Sequence, residues 1–211
     1  MERLHTMLKD YNLNHIQEQH FVPWAKQFTK HTFPRYWEVV YDIFSQFDKS
    51  LKVIEVGCGL GDITAILCYL GFSNIISFEK DSNIAVLAQD KIQDLFGMKN
   101  IIKKDTFLPT KTMQSDLLIL VNCAYKDYAQ SKQEYKDLML NYYESAGCPP
   151  YFIMEVIDSS YTIPDEEFPF HIRLCREDVK SIFPNSRIQE WKTYVYPTNS
   201  RSKTLYLITK E

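Results

Sequence analysis

The residues best suited to chemistry are an acid and three alternate glycines that follow an apolar segment, Glu55-x-Gly57-x-Gly59-x-Gly61. Glycine has no Cβ, so the chain can turn sharply here and a ligand can lie against the backbone. A phosphate-cradling loop would end in Gly-Lys-Ser/Thr, and this segment lacks the lysine. A dinucleotide loop would read Gly-x-Gly-x-x-Gly, and here the third glycine comes one residue early. The pattern favours a ligand with a cationic amino-acid end over a diphosphate.

A second acid, Glu79, ends the strand-like run 74–79 and comes twenty residues after Gly59. A carboxylate at the tip of a second strand can accept hydrogen bonds from both hydroxyls of a ribose. This spacing alone also suits a nicotinamide or flavin site. A tight turn that binds no ligand is a further alternative, although three alternate glycines lower stability unless something must approach closely.

Strand-like and helical segments alternate from residue 51 onwards, which is typical of an α/β fold with a mostly parallel sheet. The continuous apolar run 116–121 predicts a central strand that is covered on both faces. The chain closes with two extended runs, 187–196 and 203–209, joined by a short loop. These two strands must be antiparallel, because a parallel crossover needs a dozen or more residues.

Together these features resemble the class I S-adenosylmethionine-dependent methyltransferases, whose first motif is an acid-x-Gly-x-Gly-x-Gly loop. The resemblance implies a Rossmann-like, mostly parallel seven-stranded sheet of order 3-2-1-4-5-7-6 with the last strand antiparallel. It also implies S-adenosyl-L-methionine as cofactor and S-adenosyl-L-homocysteine as product. It covers residues 51–211, which we expect to form the cofactor-binding domain. Residues 1–50 are expected to form an N-terminal helical cap, which either closes over the substrate or packs on the sheet edge.

The resemblance assigns cofactor contacts residue by residue. It places Glu55 near the ammonium of the methionyl group, Glu79 on the ribose and Asp105 on the adenine amino group. The alternative for Asp105 is a role in capping its own loop. The full set of expected cofactor-binding residues is Glu55, Gly57, Cys58, Gly59, Gly61, Glu79, Lys80, Asp105, Thr106 and Asn122.

The segment Asn122-Cys123-Ala124-Tyr125 follows the predicted central strand. Methyltransferases of exocyclic amines or of glutamine amide carry Asn/Asp-Pro-Pro-Tyr/Phe at this position, and both prolines are replaced here. We expect Asn122 to touch the cofactor and Tyr125 to line the acceptor pocket. N-methylation of an amine or amide through this segment is the alternative.

A hydroxyl acceptor needs a group that takes its proton. The expected catalytic residues are His171, Asp158 and Tyr125, which follow strands on the side of the sheet where such sites lie. The acids and histidines show no metal-ligand spacing, so no metal is expected. We therefore expect an enzyme that methylates a small molecule, on oxygen rather than nitrogen. A catalytically silent cofactor- or partner-binding domain is the alternative from another class.

Composition limits the partners. The net charge is −3 and no run of like charges occurs, which argues against a nucleic-acid target. No apolar stretch approaches the ~18 residues that a membrane span needs. The first residues lack a secretory pattern, and the five cysteines form no Cys-x-x-Cys pair. We therefore expect a cytoplasmic protein with reduced thiols, and the sequence leaves its oligomeric state open.

Overall fold

A computed structural model describes residues 1–30, 33–107, 113–124, 129–195 and 201–211. The helices in these ranges are α1 (Glu2–Asn14), α2 (Arg35–Ser45), α3 (Asp62–Tyr69), α4 (Ser82–Phe96), α5 (Lys132–Ser145) and α6 (Arg176–Ile182). The strands are β1 (Val53–Val56), β2 (Ile75–Phe78), β3 (Ile102–Lys103), β4 (Leu117–Leu120), β5 (Tyr151–Asp158), β6 (Arg173–Leu174), β7 (Ser186–Val195) and β8 (Ser202–Lys210). Within the described ranges, no helix is both long enough and apolar enough to cross a bilayer.

Hydrogen bonds between neighbouring strands give the sheet order β3-β2-β1-β4-β5-β8-β7. Strands β1, β4 and β5 are parallel, whereas β8 runs antiparallel to both β5 and β7. The predicted fold class is confirmed, including the antiparallel last strand. The predicted order 3-2-1-4-5-7-6 describes the same arrangement, because the two-residue strand β6 beside β5 was not foreseen and shifts the later numbers by one.

The chain divides into two compact units. The first contains residues 1–51 and 58–106, and therefore α1 to α4 with β2 and β3. The second contains residues 52–57 and 107–211, and therefore β1, β4 to β8, α5 and α6. The domain boundary expected at residue 50 stays a prediction.

Helices α3 and α4 dominate the first unit. Every residue of α3 from Asp62 to Cys68 is buried, including the polar residues Asp62 and Thr64, so this helix lies in the interior of the first unit. The sequence offers Asp81 or Ser82 as the cap of α4 and Gly97 as its end, and in the structure the Asp81 carboxylate accepts from the N–H of Asn83 at 2.9 Å. The helix ends at Gly97, which has the left-handed conformation typical of a helix C-terminus.

In the second unit, β4 and β5 supply the buried centre of the sheet. All four residues of β4 are buried, as the continuous apolar run predicted. Leu117 pairs with Tyr151 of β5, and the register continues to Leu120 and Met154. Because the strands are parallel, their carboxyl ends lie at the same edge of the sheet, which is where ligands bind in folds of this type.

Replacing Lys91 by methionine should lower the free energy of unfolding by about 3 kcal/mol. The Lys91 side chain is fully buried and its ammonium lies 2.9 Å from a carboxylate oxygen of Asp62. Removing the ammonium leaves the Asp62 carboxylate buried without its ion-pair partner. The double variant Lys91→Met with Asp62→Leu should therefore recover most of the lost unfolding free energy. Urea denaturation measures both effects. Lys99→Met, at an exposed position, is the control, and an equal loss there would contradict the argument.

Candidate functional site

The loop after β1 holds its three alternate glycines at positive φ, +67° at Gly57, +54° at Gly59 and +74° at Gly61. Two of them are also closely packed. A Cβ on Gly57 would lie 2.6 Å from the Cβ of Cys123, and one on Gly61 would lie 3.3 Å from the Cβ of Ala88. At Gly59, by contrast, no heavy atom of the described residues lies within 4 Å of an added Cβ. The backbone at Gly59 is therefore open to close approach by a ligand.

Glu79 lies directly after β2 and is only 8% exposed. Its Oε2 accepts a hydrogen bond from the N–H of Gly59 at 2.9 Å, and its Oε1 accepts from the N–H of Asp81 at 2.9 Å. One carboxylate thus joins the glycine loop to the start of α4. Since a carboxylate offers about four lone pairs, these two bonds leave capacity to accept from a ligand.

Asp105 follows β3, the parallel neighbour of β2. The strands are in register at Phe78 and Lys103, and the N–H of Glu79 donates to the carbonyl of Lys103 at 3.0 Å. The exposed Asp105 carboxylate accepts from the N–H of Thr106 at 2.8 Å. The structure therefore brings the two predicted acids to the same end of neighbouring strands. The predicted residue Lys80, next to Glu79, is exposed.

The second unit contains the other predicted cofactor residues. Glu55 lies within β1, where it is 2% exposed and pairs in register with Ile119 of β4. The thiol of Cys123, after β4, donates to the carbonyl of Val56 at 3.0 Å. Because its Cβ also packs against the backbone of Gly57, Cys123 ties the end of β4 to the end of β1.

Asn122 occupies the carboxyl end of β4 with φ of +56°, and Ala124 follows with φ of +57°. The Asn122 side-chain oxygen accepts a hydrogen bond from the ammonium of Lys203, at the start of β8. Sequence reasoning missed Lys203, because nothing in its strand-like surroundings marks it as functional. Tyr125, the predicted aromatic of this segment, lies outside the described residues.

Asp158 ends β5 and is well bonded inside the protein. Its carboxylate accepts from Thr204 Oγ1 at 2.6 Å, from the N–H of Ser160 at 2.9 Å and from the ammonium of Lys192. Burial raises the pKa of Asp158, but these hydrogen bonds outweigh it and lower the pKa to about 2. A carboxylate with so low a pKa accepts a proton poorly near neutral pH. The catalytic role of Asp158 stays a prediction.

His171 lies partly exposed in a short 3₁₀ turn, Phe170–Ile172, at the end of the loop that leaves β5. The buried Arg173 holds this loop. Its guanidinium donates to the carbonyl of Phe168 at 2.7 Å and 2.8 Å, to that of Ile163 at 2.7 Å and to that of Tyr161. Arg173 thus braces the loop that leads to His171, and no sequence pattern marks this arginine as functional. Its catalytic role stays a prediction. Among the described residues, no group of three or more histidines, cysteines and acids is placed to hold a metal ion.

Comparison with protein-family profiles gives no match, and no curated protein matches the sequence. Solved structures do match. The magnesium protoporphyrin IX methyltransferase of Synechocystis with bound S-adenosylmethionine is 14% identical, with a TM-score of 0.68 over 98% of this chain and 97% of that one. A S-adenosylmethionine-dependent methyltransferase from Leishmania major is 15% identical, with a TM-score of 0.61 over 94% of this chain and 83% of that one.

A third similar structure, a putative rRNA methylase from Clostridium thermocellum, is 15% identical, with a TM-score of 0.55 over 85% of this chain and all of that one. The names of these proteins differ in the acceptor, which ranges from a porphyrin to RNA. Likeness at such low identity establishes the architecture. The chain has the Rossmann-like fold of the class I S-adenosylmethionine-dependent methyltransferases.

Proposed function

We propose that this protein is a S-adenosylmethionine-dependent methyltransferase that transfers a methyl group to an oxygen of a small molecule. The observation that carries the proposal is the Glu79 carboxylate, held by two backbone N–H groups beside the open face of Gly59. The fold and the bound S-adenosylmethionine in the similar Synechocystis structure support it.

The residues present fit the nucleoside half of the cofactor. Glu79 would accept hydrogen bonds from the two ribose hydroxyls, because its bonds to Gly59 and Asp81 fix both oxygens and leave lone pairs for the ligand. The ribose would lie against Gly59, where a Cβ would intrude. Asp105, at the end of the strand next to β2, would accept from the adenine amino group. Glu55 and Gly57 remain the expected contacts of the methionyl half.

When bound, S-adenosylmethionine supplies an electrophilic methyl group on a positively charged sulfur. Charge is neutralised in the displacement, so the main tasks of the protein are alignment and exclusion of water. In this chain, rigid placement comes from the close packing of Cys123 on Gly57 and from the clamp of Arg173 on the loop 161–168. A small-molecule acceptor agrees with the net charge of −3, because a nucleic-acid footprint needs clustered positive charge.

Glu79→Gln should weaken the binding of S-adenosylmethionine and S-adenosylhomocysteine by about 10- to 100-fold, since hydrogen bonds to a charged group contribute about 1.5–3 kcal/mol. Isothermal titration calorimetry measures the change. The matched control is Glu134→Gln, because the Glu134 carboxylate also accepts from a backbone N–H, that of Gln130 at 2.8 Å, but lies at the start of α5. Affinity of the control should equal that of wild type.

The same titration decides the cofactor class. Both adenosyl compounds should bind to the wild-type protein, and NADH should produce no heat. Binding of NADH without the adenosyl compounds would overturn the proposed function. Binding of neither would leave the glycine loop as a turn without a ligand, and the proposal would fail in that case as well.

Gly59→Ala should reduce the affinity for S-adenosylhomocysteine at least about tenfold, because the added methyl group would occupy space that a ligand needs. The substitution also strains a backbone with positive φ, at a cost of about 1 kcal/mol in unfolding free energy. Gly97→Ala is a matched control for strain, since Gly97 has φ of +70° and also has no described atom within 4 Å of an added Cβ. We expect both variants to lose the same unfolding free energy, whereas only Gly59→Ala should bind S-adenosylhomocysteine more weakly. A binding loss of equal size at both sites would argue against a ligand there.

Asp158→Asn should lower the stability at pH 7 by about 1–2 kcal/mol, and this difference should shrink as the pH falls from about 4 to 2. The pKa of Asp158 is about 2 in the folded protein, below the ordinary value of 3.8. A lowered pKa stabilises the folded state above the unfolded-state pKa, and this stabilisation is lost as the carboxylate becomes protonated. Urea denaturation at several pH values tests this. A difference that stays constant from pH 7 to pH 2 would contradict the assigned hydrogen bonds.

A further inference from the structure

Lys203 brings a positive charge to the ligand-binding edge of the second unit. It pairs in register with Ile157 near the carboxyl end of β5, because β8 runs antiparallel to that strand. Its ammonium donates to the side-chain oxygen of Asn122 at the carboxyl end of β4 and lies 3.7 Å from Oε2 of Glu155. One lysine thus reaches the ends of the two central parallel strands, where ligands bind in open α/β sheets.

The surroundings hold this ammonium in place. The side chain of Glu155 has no exposed surface, and its Oε1 accepts from the hydroxyl of Thr193. The Lys203 side chain keeps 15% of its surface exposed, so a ligand that arrives from solvent meets the lysine before it meets Glu155. The ring of Phe168 lies 5.9 Å from the ammonium and provides an apolar wall. Burial lowers the pKa of Lys203, and the Glu155 carboxylate opposes that shift.

The backbone beside the lysine is strained. Asn122 and Ala124 both have φ near the left-handed region, at +56° and +57°. Alanine gains nothing from this conformation, which few residues other than glycine adopt. Strain of this kind persists where the surrounding structure requires it and is concentrated at functional sites. The Asn122 side chain that accepts from Lys203 therefore extends from a strained segment of the backbone.

We infer that Lys203 selects a methyl acceptor that presents an anionic oxygen, either a carboxylate or an ionised hydroxyl, at the carboxyl ends of β4 and β5. This inference rests on the proposed function and specifies its substrate class. The ammonium donates to the acceptor oxygen and favours its ionised form, since a nearby positive charge lowers the pKa of an acid. Lys203 is a binding and positioning residue, and the Glu155 carboxylate 3.7 Å from its ammonium favours the charged form.

The reaction is balanced without a base when the acceptor arrives ionised. A lone pair of the oxygen forms the new bond to the methyl carbon, and the carbon–sulfur bond breaks with its electron pair going to sulfur. An oxygen anion and a sulfonium become a neutral ester or ether and a neutral thioether. No proton has to move, so neither Asp158 nor His171 is required in this step.

An amine acceptor is disfavoured at the same edge. An alkylamine is mostly protonated near neutral pH, and the fixed ammonium of Lys203 repels a second cation. A neutral amine would need a hydrogen-bond acceptor, and Lys203 already occupies one of the two lone pairs of the Asn122 oxygen. The substitution of both prolines in Asn122-Cys123-Ala124-Tyr125 agrees with this, because the segment no longer has the sequence of an amine site.

The test uses two probes of matched shape, benzoate and benzylamine, with the full-length protein saturated with S-adenosylhomocysteine. Lysines carry ¹³C at Cε, and the Lys203 signal is assigned by its absence from Lys203→Arg. The expected result is a saturable shift of the Lys203 signal with benzoate and none with benzylamine. The signal of Lys210, exposed at the other end of β8, should not move with either probe.

Variants separate recognition from folding. Lys203→Met should weaken benzoate binding by about tenfold or more, the loss expected for one hydrogen bond to a charged group. Lys203→Arg keeps the charge and should bind benzoate within a few-fold of wild type. Lys210→Met should be unchanged. All three variants should bind S-adenosylhomocysteine as wild type does, which shows that each is folded.

The outcomes are distinct. If S-adenosylhomocysteine fails to bind to the wild-type protein, the proposed function itself is wrong. If it binds but benzoate produces no saturable shift, the inference about Lys203 is overturned and the methyltransferase proposal stands. An equal response to benzylamine, or benzoate binding that survives Lys203→Met, would overturn the inference in the same way.

Discussion

The position of the Glu79 carboxylate is the constraint on which the candidate cofactor site depends. Its two oxygens accept from N–H groups twenty residues and two residues away in sequence, at Gly59 and Asp81. A buried carboxylate is costly unless it is hydrogen-bonded, and these bonds offset that cost while fixing its orientation. Asp81 in turn caps α4, so the carboxylate that is proposed to bind the ribose and the start of the helix are positioned together.

The sequence predicted the parts of the fold that depend on short-range chemistry. Helix α4 was expected from a cap at Asp81 or Ser82 and an end at Gly97, and β4 from its continuous apolar run. The strand-like run 100–105 predicts a third strand as well, but β3 contains only Ile102 and Lys103. There the N–H groups of Ile101 and Ile102 donate to the Gln89 side chain, at 3.0 Å and 3.1 Å. No local sequence pattern predicts that Gln89, on helix α4, will bond to the backbone at β3.

Some residues of the candidate site could likewise be predicted from local sequence, whereas others depend on contacts between distant parts of the chain. The glycine spacing and Glu79 could be predicted because they belong to a backbone loop and to a strand that follows soon after it. Lys203 could not, since it lies 81 residues from Asn122 and reaches it only because β8 runs antiparallel to β5. Arg173 escaped notice for a related reason. Its guanidinium donates to three backbone carbonyl groups of a loop without regular structure. Every residue has a backbone carbonyl, so no pattern of residue types predicts these contacts.

The cofactor and the acceptor are proposed to be recognised by different parts of the chain, which bears on how the acceptor is selected. In the proposed function, the Glu79 carboxylate and the open backbone at Gly59 recognise the nucleoside, so the spacing of the loop must be kept whatever the acceptor is. The proposed acceptor edge is made of side chains from separate strands, namely Asn122 after β4, Lys203 from β8 and Glu155 from β5. Each of these can change without disturbing the glycine loop. A common fold can therefore serve a porphyrin methyltransferase and a putative rRNA methylase at 14% and 15% identity to this chain. In this chain the ammonium of Lys203 is the group proposed to select the acceptor, and a fixed charge selects against the wrong partner as well as favouring the right one.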